Sequence, residues 1–365
     1  ASVSPRDRQY LEGAIAKAKR RSPQTASSVY DFVRDVLLLR NLNEFAESAR
    51  PQVVNFVMKF QQVTGPVMAK SVEDTAFYVY NRLVSLNEVG GQPRIFGLSL
   101  DAFHRQNSER RRRWPHAMLA TSTHDTKRSE DVRVRISILS EMPREWNAAL
   151  TRWKRLNAAQ RITVDGDLVP DRNEEYLLYQ TLIGAWPLEP YTPEMFDDFR
   201  ERIAAYMLKA SKEAKVHSGW LNPNPTYDEA LQKFVRDVLS DTPKNRFLPD
   251  IRTFQQRIAR GGQLNALAQQ ALKLTSPGVP DVYQGTELWT LSLVDPDNRR
   301  PVDYPARQAF LSDLQAHIAD PHRPRATLLS DLIDHAVDGR IKLYLTYCIL
   351  NYRRTHAAPT VDRDG

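Results

Sequence analysis

Apolar residues recur at helical spacing in the opening stretch: Val29, Phe32, Val33, Val36 and Leu37 share one face, with Ser28 placed to cap the run. Val53, Phe56, Val57 and Phe60 repeat the pattern after Pro51, until Thr64-Gly65-Pro66 breaks it. Val67-Met68-Ala69 then predicts a short buried strand leading to Lys70. A second strand is predicted over Ala117–Thr123; it runs straight into His124-Asp125, and a helix follows from Glu130 to Leu139. From 141 to 250 the pattern is helical, without a strand signal. Its stripes are Trp146, Ala149, Leu150, Trp153; then Phe196, Phe199, Ile203, Tyr206; then Tyr227, Leu231, Phe234, Val235, Val238. Such stripes are core, and no chemistry is assigned to them. A helix through Leu264, Leu267, Ala271 and Leu272 ends at Thr275–Gly278, and Val279–Gly285 reads as a strand entered through proline and closed by glycine. Ile341, Tyr344, Leu345, Cys348 and Ile349 stripe a closing helix.

Strand, polar residues at its C-terminal end, then helix is the repeating unit of a parallel β/α barrel. The expected class is therefore α/β, a TIM-type (β/α)8 architecture interrupted by a large, mostly helical insertion. Composition agrees with a globular chain: 365 residues, 41% hydrophobic and 26% charged. No apolar run has the length of a membrane helix, and the N-terminus lacks the apolar core of a secretory signal. Cys348 is the single cysteine, which excludes an internal disulfide and a thiolate zinc cluster and fits a reducing cytoplasm. The net charge of +7 and the run Arg110–Arg113 raise nucleic acid as a partner, but no nucleic-acid-binding module accompanies them. Arginines pairing with nearby carboxylates or standing in solvent explain the run, so no nucleic-acid or membrane partner is expected. No metal is expected either, because no histidine pair has zincin spacing. Gly90-Gly91 and Gly261-Gly262 lack the lysine and hydroxyl of a phosphate loop, and no cofactor is expected.

The densest chemistry is Thr121–Asp131, where His124, Asp125, Lys127, Arg128, Glu130 and Asp131 follow an apolar strand. A barrel places its site at the C-terminal ends of its strands, which favours His124 and Asp125 as functional residues. The same stretch also reads as a charged, solvated turn with acids favoured at a helix N-terminus. Lys70, Glu73, Asp74, Phe77 and Tyr78 join acids to aromatics, the combination that binds sugar hydroxyls and covers sugar C–H faces. Glu73 and Asp74 read equally as first-turn acids of a helix. His104 and Asn107, before the arginine run, are weaker candidates, since a lone histidine is more often a satisfied surface residue. Asp295–Asp303 reads as a structural, polar loop.

These residues resemble a known family. Ala120–Asp125 is similar to the seventh-strand motif of the α-amylase superfamily, ending in His-Asp, and Pro277–Glu287 to its eighth-strand motif. The extended runs Thr64–Tyr78, His124–Asp131 and Asp295–Tyr304 resemble the maltooligosyltrehalose synthase family. The resemblance implies that only the later barrel strands and helices are present: 1–60 a helical lead-in, 61–140 the region of strands six and seven, 141–250 the insertion, 251–356 strand eight and closing helices, and 357–365 a truncated tail. It implies intramolecular transglucosylation, converting the reducing-end α-1,4 linkage of a maltooligosaccharide to an α,α-1,1 linkage in trehalose biosynthesis, with a trehalose-releasing hydrolase as partner. Superfamily members use a carboxylate nucleophile, an acid/base and a third, transition-state-stabilising carboxylate. Asp125 matches the third, and His124 its hydroxyl-binding neighbour. Lys70, Glu73, Asp74, Phe77, Tyr78, His104, Asn107, Lys127 and Arg128 are expected to bind substrate. The nucleophile and acid motifs have no match in this sequence, and Ala1 and Gly365 read as cuts through a longer protein, so the isolated chain is expected to be inactive. An amylase-type hydrolase or transglycosylase, and a non-catalytic saccharide-binding piece, are the alternatives.

Overall fold

Two compact units divide the chain, one up to Val72 and one from Glu73 onward. The computed structural model describes residues 3–188 and 190–356. The tail expected at 357–365 lies outside the described residues.

The first unit is helical. Ser4 and Asp7 form a reciprocal capping box at the start of α1 (Pro5–Arg21), satisfying donors that the helix leaves open. Ala26, not Ser28, precedes α2 (Ser27–Leu37), and no side chain caps that helix. Ser28 lies inside the first turn, where it competes poorly for the cap position. Lys19 on α1 pairs with Asp31 on α2 at 2.8 Å, a partly exposed contact of small energetic weight. α3 (Arg50–Met68) carries the second stripe, continues through Gly65 and Pro66, and passes directly into a π-helical stretch, Ala69–Ala76. The strand expected at Val67–Ala69 is therefore helix. Three residues with no neighbouring strand can satisfy their backbone groups only locally. Pro66 removes one donor from the ladder, and the wider turns follow at once.

The second unit is built around the stretch expected as an insertion. After the single turn of α4 (Phe77–Val79) and α5 (Leu100–Arg113) come α6 (Glu130–Ser137), α7 (Pro143–Leu156), α8 (Arg172–Ala185), α9 (Pro193–Ala214), α10 (Pro225–Val238) and α11 (Phe247–Thr275). Trp153 is fully buried and meets Trp146, Tyr179, Phe247 and Phe254 at ring separations of 5.4–5.6 Å, mostly edge to face. Such contacts add to area burial. α6, the helix that follows His124-Asp125, runs between α8 and α11. A Cβ on Gly184 of α8 would stand 2.7 Å from Val132 Cγ1, and one on Gly262 of α11 would stand 2.5 Å from Arg135 Cγ. Glycine is what lets both helices approach α6 this closely.

Only short strands form among the described residues. β1 (Met118–Leu119) pairs in parallel with β4 (Val279–Pro280), in the register Met118↔Val279 and Leu119↔Pro280. The cross-strand bonds come from Val279 N–H to Ala117 O and from Asp281 N–H to Leu119 O, both 2.9 Å. Pro280 thus occupies the position whose missing N–H is not needed. Gly278, at φ +127°, has no room for a Cβ, which would stand 2.6 Å from Ala117 O. The two strands are the cores of the longer runs predicted at Ala117–Thr123 and Val279–Gly285, and the structure keeps them adjacent.

One hairpin lies within 141–250, a mostly helical stretch whose sequence carried no strand signal. β2 (Ile162–Val164) and β3 (Asp167–Val169) pair antiparallel around Asp165 and Gly166, whose φ values are +53° and +91°. Positive φ at both central residues is the hairpin turn that Asp-Gly favours. α12 (Tyr304–Ala319), α13 (Arg325–Asp334) and α14 (Arg340–His356) close the unit around Leu314, Leu328, Leu332 and Leu343. Arg353 of α14 donates to Leu274 O, Ser276 O and Gly278 O at 2.8, 3.0 and 2.6 Å, tying the end of α11 to the start of β4.

Candidate active-site loop

Beyond the C-terminal end of β1 the chain turns at Thr123–Thr126. Thr126 Oγ1 donates to Thr123 O at 3.0 Å, and Asp125 N–H donates to Thr123 Oγ1 at 3.2 Å. His124 and Asp125 occupy the tip and are exposed, whereas Thr126 through Asp131 are buried. Asn298 Nδ2 supports the tip from below, donating to His124 O at 3.1 Å.

Lys127 lies between two carboxylates. Its ammonium is buried, 2.6 Å from Asp74 Oδ1 and 3.8 Å from Asp125 Oδ1, while the Asp125 side chain remains 53% exposed. This joins the two candidate stretches in space: Asp74 and Asp125 share one cation. Glu73 lies nearby in sequence but accepts from Gly90 N–H at 2.9 Å. Lys70 belongs to the first unit.

Arg128, Phe77 and Tyr78, expected to bind substrate, are enclosed in the structure. Arg128 is 1% exposed, and Phe77 and Tyr78 are each 4% exposed. The Arg128 guanidinium donates to Val84 O at 3.3 Å and to Tyr206 Oη at 2.7 Å. It also lies over the Tyr206 ring. Burial pushes the Tyr78 hydroxyl well above the usual tyrosine range, with Tyr206 adding to the shift. Arg128 ties the loop to Val84 and Tyr206 from inside. His104 is exposed on α5, edge-on to Phe103, and Asn107 Oδ1 accepts from Arg110 Nη1 at 2.8 Å. Asn107 lines a hollow of about 650 Å³ with Met118, Leu119 and Lys273, distinct from the one beside the loop tip.

That second hollow, about 210 Å³, is lined by Thr123 and Thr126 on one side and by Tyr283, Thr286, Asn298 and Arg300 on the other. It opens past the C-terminal ends of β1 and β4, the end at which parallel β/α folds carry their sites. The Asp295–Asp303 loop forms part of its wall and is tied down by its own bonds. Asp297 accepts from Arg202 at 2.7 and 2.9 Å and from Leu293 N–H at 2.7 Å. Burial opposes its charge, but Arg202 outweighs that and holds the carboxyl below the usual range.

Several residues that shape the site carry no sequence signal. Glu88 accepts from Lys127 N–H at 2.7 Å and from Arg128 N–H at 3.2 Å, and Arg133 Nη1 reaches it at 2.9 Å. At the foot of the loop, Lys342 of α14 is fully buried against Glu130 Oε1 at 2.7 Å and Asp131 Oδ2 at 3.0 Å. Burial raises the Glu130 pKa, yet Lys342 and Lys273 outweigh it and hold the carboxyl down to about 2. For Asp131 burial wins, and its carboxyl is pushed up. Asp131 Oδ2 also accepts from Thr290 N–H, and Ser129 N–H donates to Ser292 O at 2.9 Å, so the motif is stitched to the segment after β4.

Solved structures define the class. The chain superposes on the structure of a maltooligosyltrehalose synthase from Arthrobacter ramosus with a TM-score of 0.75 at 35% identity, covering 96% of this chain and 40% of that one. A second maltooligosyl trehalose synthase structure gives 0.72 at 33% identity, covering 98% of this chain and 48% of that one. The fold is therefore a portion of that amylase-type fold, here mostly helical with few strands. A Mycobacterium tuberculosis protein described as a maltooligosyl trehalose synthase is 43% identical over 258 residues, 71% of this chain. The chain belongs to the maltooligosyltrehalose synthase family, and it spans about a third of the length of that curated relative, 32%. No family model matches.

Proposed function

We propose that this chain contributes the transition-state-stabilising carboxylate, Asp125, to an intramolecular transglucosylation that turns the reducing-end α-1,4 linkage of a maltooligosaccharide into an α,α-1,1 linkage. The observation that carries the reading is the His124-Asp125 tip: two exposed side chains on a loop whose following residues are buried and bonded, beyond paired parallel strands. A carboxylate so placed can accept hydroxyl hydrogen bonds that strengthen as positive charge develops on the sugar ring. Lys127 holds positive charge beside it without occupying the exposed face. His124, beside Asp125 at the tip, offers a ring nitrogen to a neighbouring hydroxyl. The product is a substrate for a trehalose-releasing hydrolase.

The test follows reducing-end content over time with maltopentaose, using the full-length gene product and its Asp125→Asn variant. A fall in reducing ends without free glucose, lost in the variant, is the expected result. A rise in reducing ends means hydrolysis and removes the named reaction.

A further inference from the structure

We infer that Glu88 is the positioning residue for Asp125, acting through the backbone of the loop rather than through substrate. The inference rests on the reading of Asp125 above. Glu88 stands 39 residues before Lys127, yet its two carboxylate oxygens divide the loop between them: Oε1 accepts from Lys127 N–H at 2.7 Å and Oε2 from Arg128 N–H at 3.2 Å. Oε1 also accepts from Val89 N–H at 2.8 Å, which fixes the carboxylate relative to its own backbone. Arg133, one turn into α6, completes the clamp. Its Nη1 donates to Glu88 Oε2 and to Arg128 O, both at 2.9 Å, and its Nη2 reaches Thr121 O.

The arrangement grips the loop on both sides of its tip, at Thr121 before His124-Asp125 and at Lys127 and Arg128 after it. Both gripping side chains are nearly enclosed, at 14% exposed for Glu88 and 13% for Arg133. A carboxylate suits this geometry, because both of its oxygens accept. The donors fall on both oxygens, Val89 and Lys127 N–H on Oε1 and Arg128 N–H and Arg133 on Oε2, and an amide would turn an NH2 group toward one of these sets. Loss of one acceptor frees the segment that sets the direction of Lys127 and the separation of Asp125 from it. Misplacing a stabilising carboxylate by about 1 Å can cost about a hundredfold in rate. The loss falls on kcat, because that carboxylate binds the transition state better than the ground state.

The experiment measures kcat and KM for maltopentaose, per folded molecule, in the full-length gene product and its Glu88→Gln, Glu88→Asp and Asp125→Asn variants. Glu88→Gln is expected to lower kcat about 10–100-fold with KM within about threefold. Glu88→Asp, which keeps both acceptors, recovers part of the loss. A purely architectural Glu88 predicts lower thermal stability with kcat unchanged, and that outcome, beside an inactive Asp125→Asn, overturns the inference. Retained turnover in Asp125→Asn overturns instead the assignment of Asp125. If Glu88→Gln does not fold, Arg133→Lys is measured in the same way: a kcat loss at steady KM supports the clamp, and unchanged kcat overturns it.

Discussion

Lys342 never reaches water, and its ammonium is held by two carboxylates 211 and 212 positions earlier in the chain. Burial lowers its basicity, but Asp131 and Glu130 outweigh this and raise it. Removing the ammonium leaves two enclosed acids, with Lys273 3.7 Å from Glu130 and the Arg135 charge felt by Asp131. Lys342→Met is therefore expected to destabilise the second unit by about 3–5 kcal/mol, the usual cost of breaking one side of a buried pair. Chemical denaturation checks it, and a loss under about 1 kcal/mol would mean that the acids find other compensation. The sequence showed Glu130 and Asp131 because they crowd a motif that follows an apolar strand. It could not show Lys342, Glu88 or Arg353, because their partners are long-range and no local pattern marks a lysine, glutamate or arginine for burial. His124 and Asp125 were legible for the opposite reason: what exposes them is strand-then-turn, a local signal.

Among elements, α6 decides how the loop is held, because its first turn carries Glu130 and Asp131 and its flanks meet α8 and α11. Gly184→Ala adds a methyl 2.7–2.8 Å from Val132 and Ile136. Alanine would ordinarily stabilise a helix interior by about 1 kcal/mol over glycine. Overpacking of a filled interface costs about 1–3 kcal/mol, and the close contacts here make it the larger effect. The variant should lose about 1–2 kcal/mol on balance, read as a lower midpoint in urea, and a higher midpoint would contradict the packing. Long stripes such as Phe196–Tyr206 were readable from period alone. The hairpin at Ile162–Val169 was missed although Asp165-Gly166 announces it, because its strands of three residues each are too short for alternation to show. Val67–Ala69 failed in the other direction, since an apolar triplet does not distinguish strand from helix.

For the whole molecule, the two halves of the candidate site come from distant parts of the chain, with the stretch from 141 to 250 between them. That stretch supplies the aromatic core against which α6 packs. The parallel pairing of β1 with β4, and the bonds from Asp131 to Thr290 and from Ser129 to Ser292, all span this separation. A ribosome delivers Asp125 long before it delivers Lys342 and Arg353, and synthesis proceeds at about 5–20 residues per second. The nascent loop must therefore wait, untethered at its foot, until α14 emerges. Ending translation after Gly339 should leave the amides of α6 poorly protected in hydrogen exchange, while those of α9 and α10, enclosed in the aromatic-rich core, remain slow. Equal protection of α6 with and without α14 would show that the motif is set earlier. On the present geometry the foot of the loop closes only after a residue 211 positions beyond Asp131 has left the ribosome.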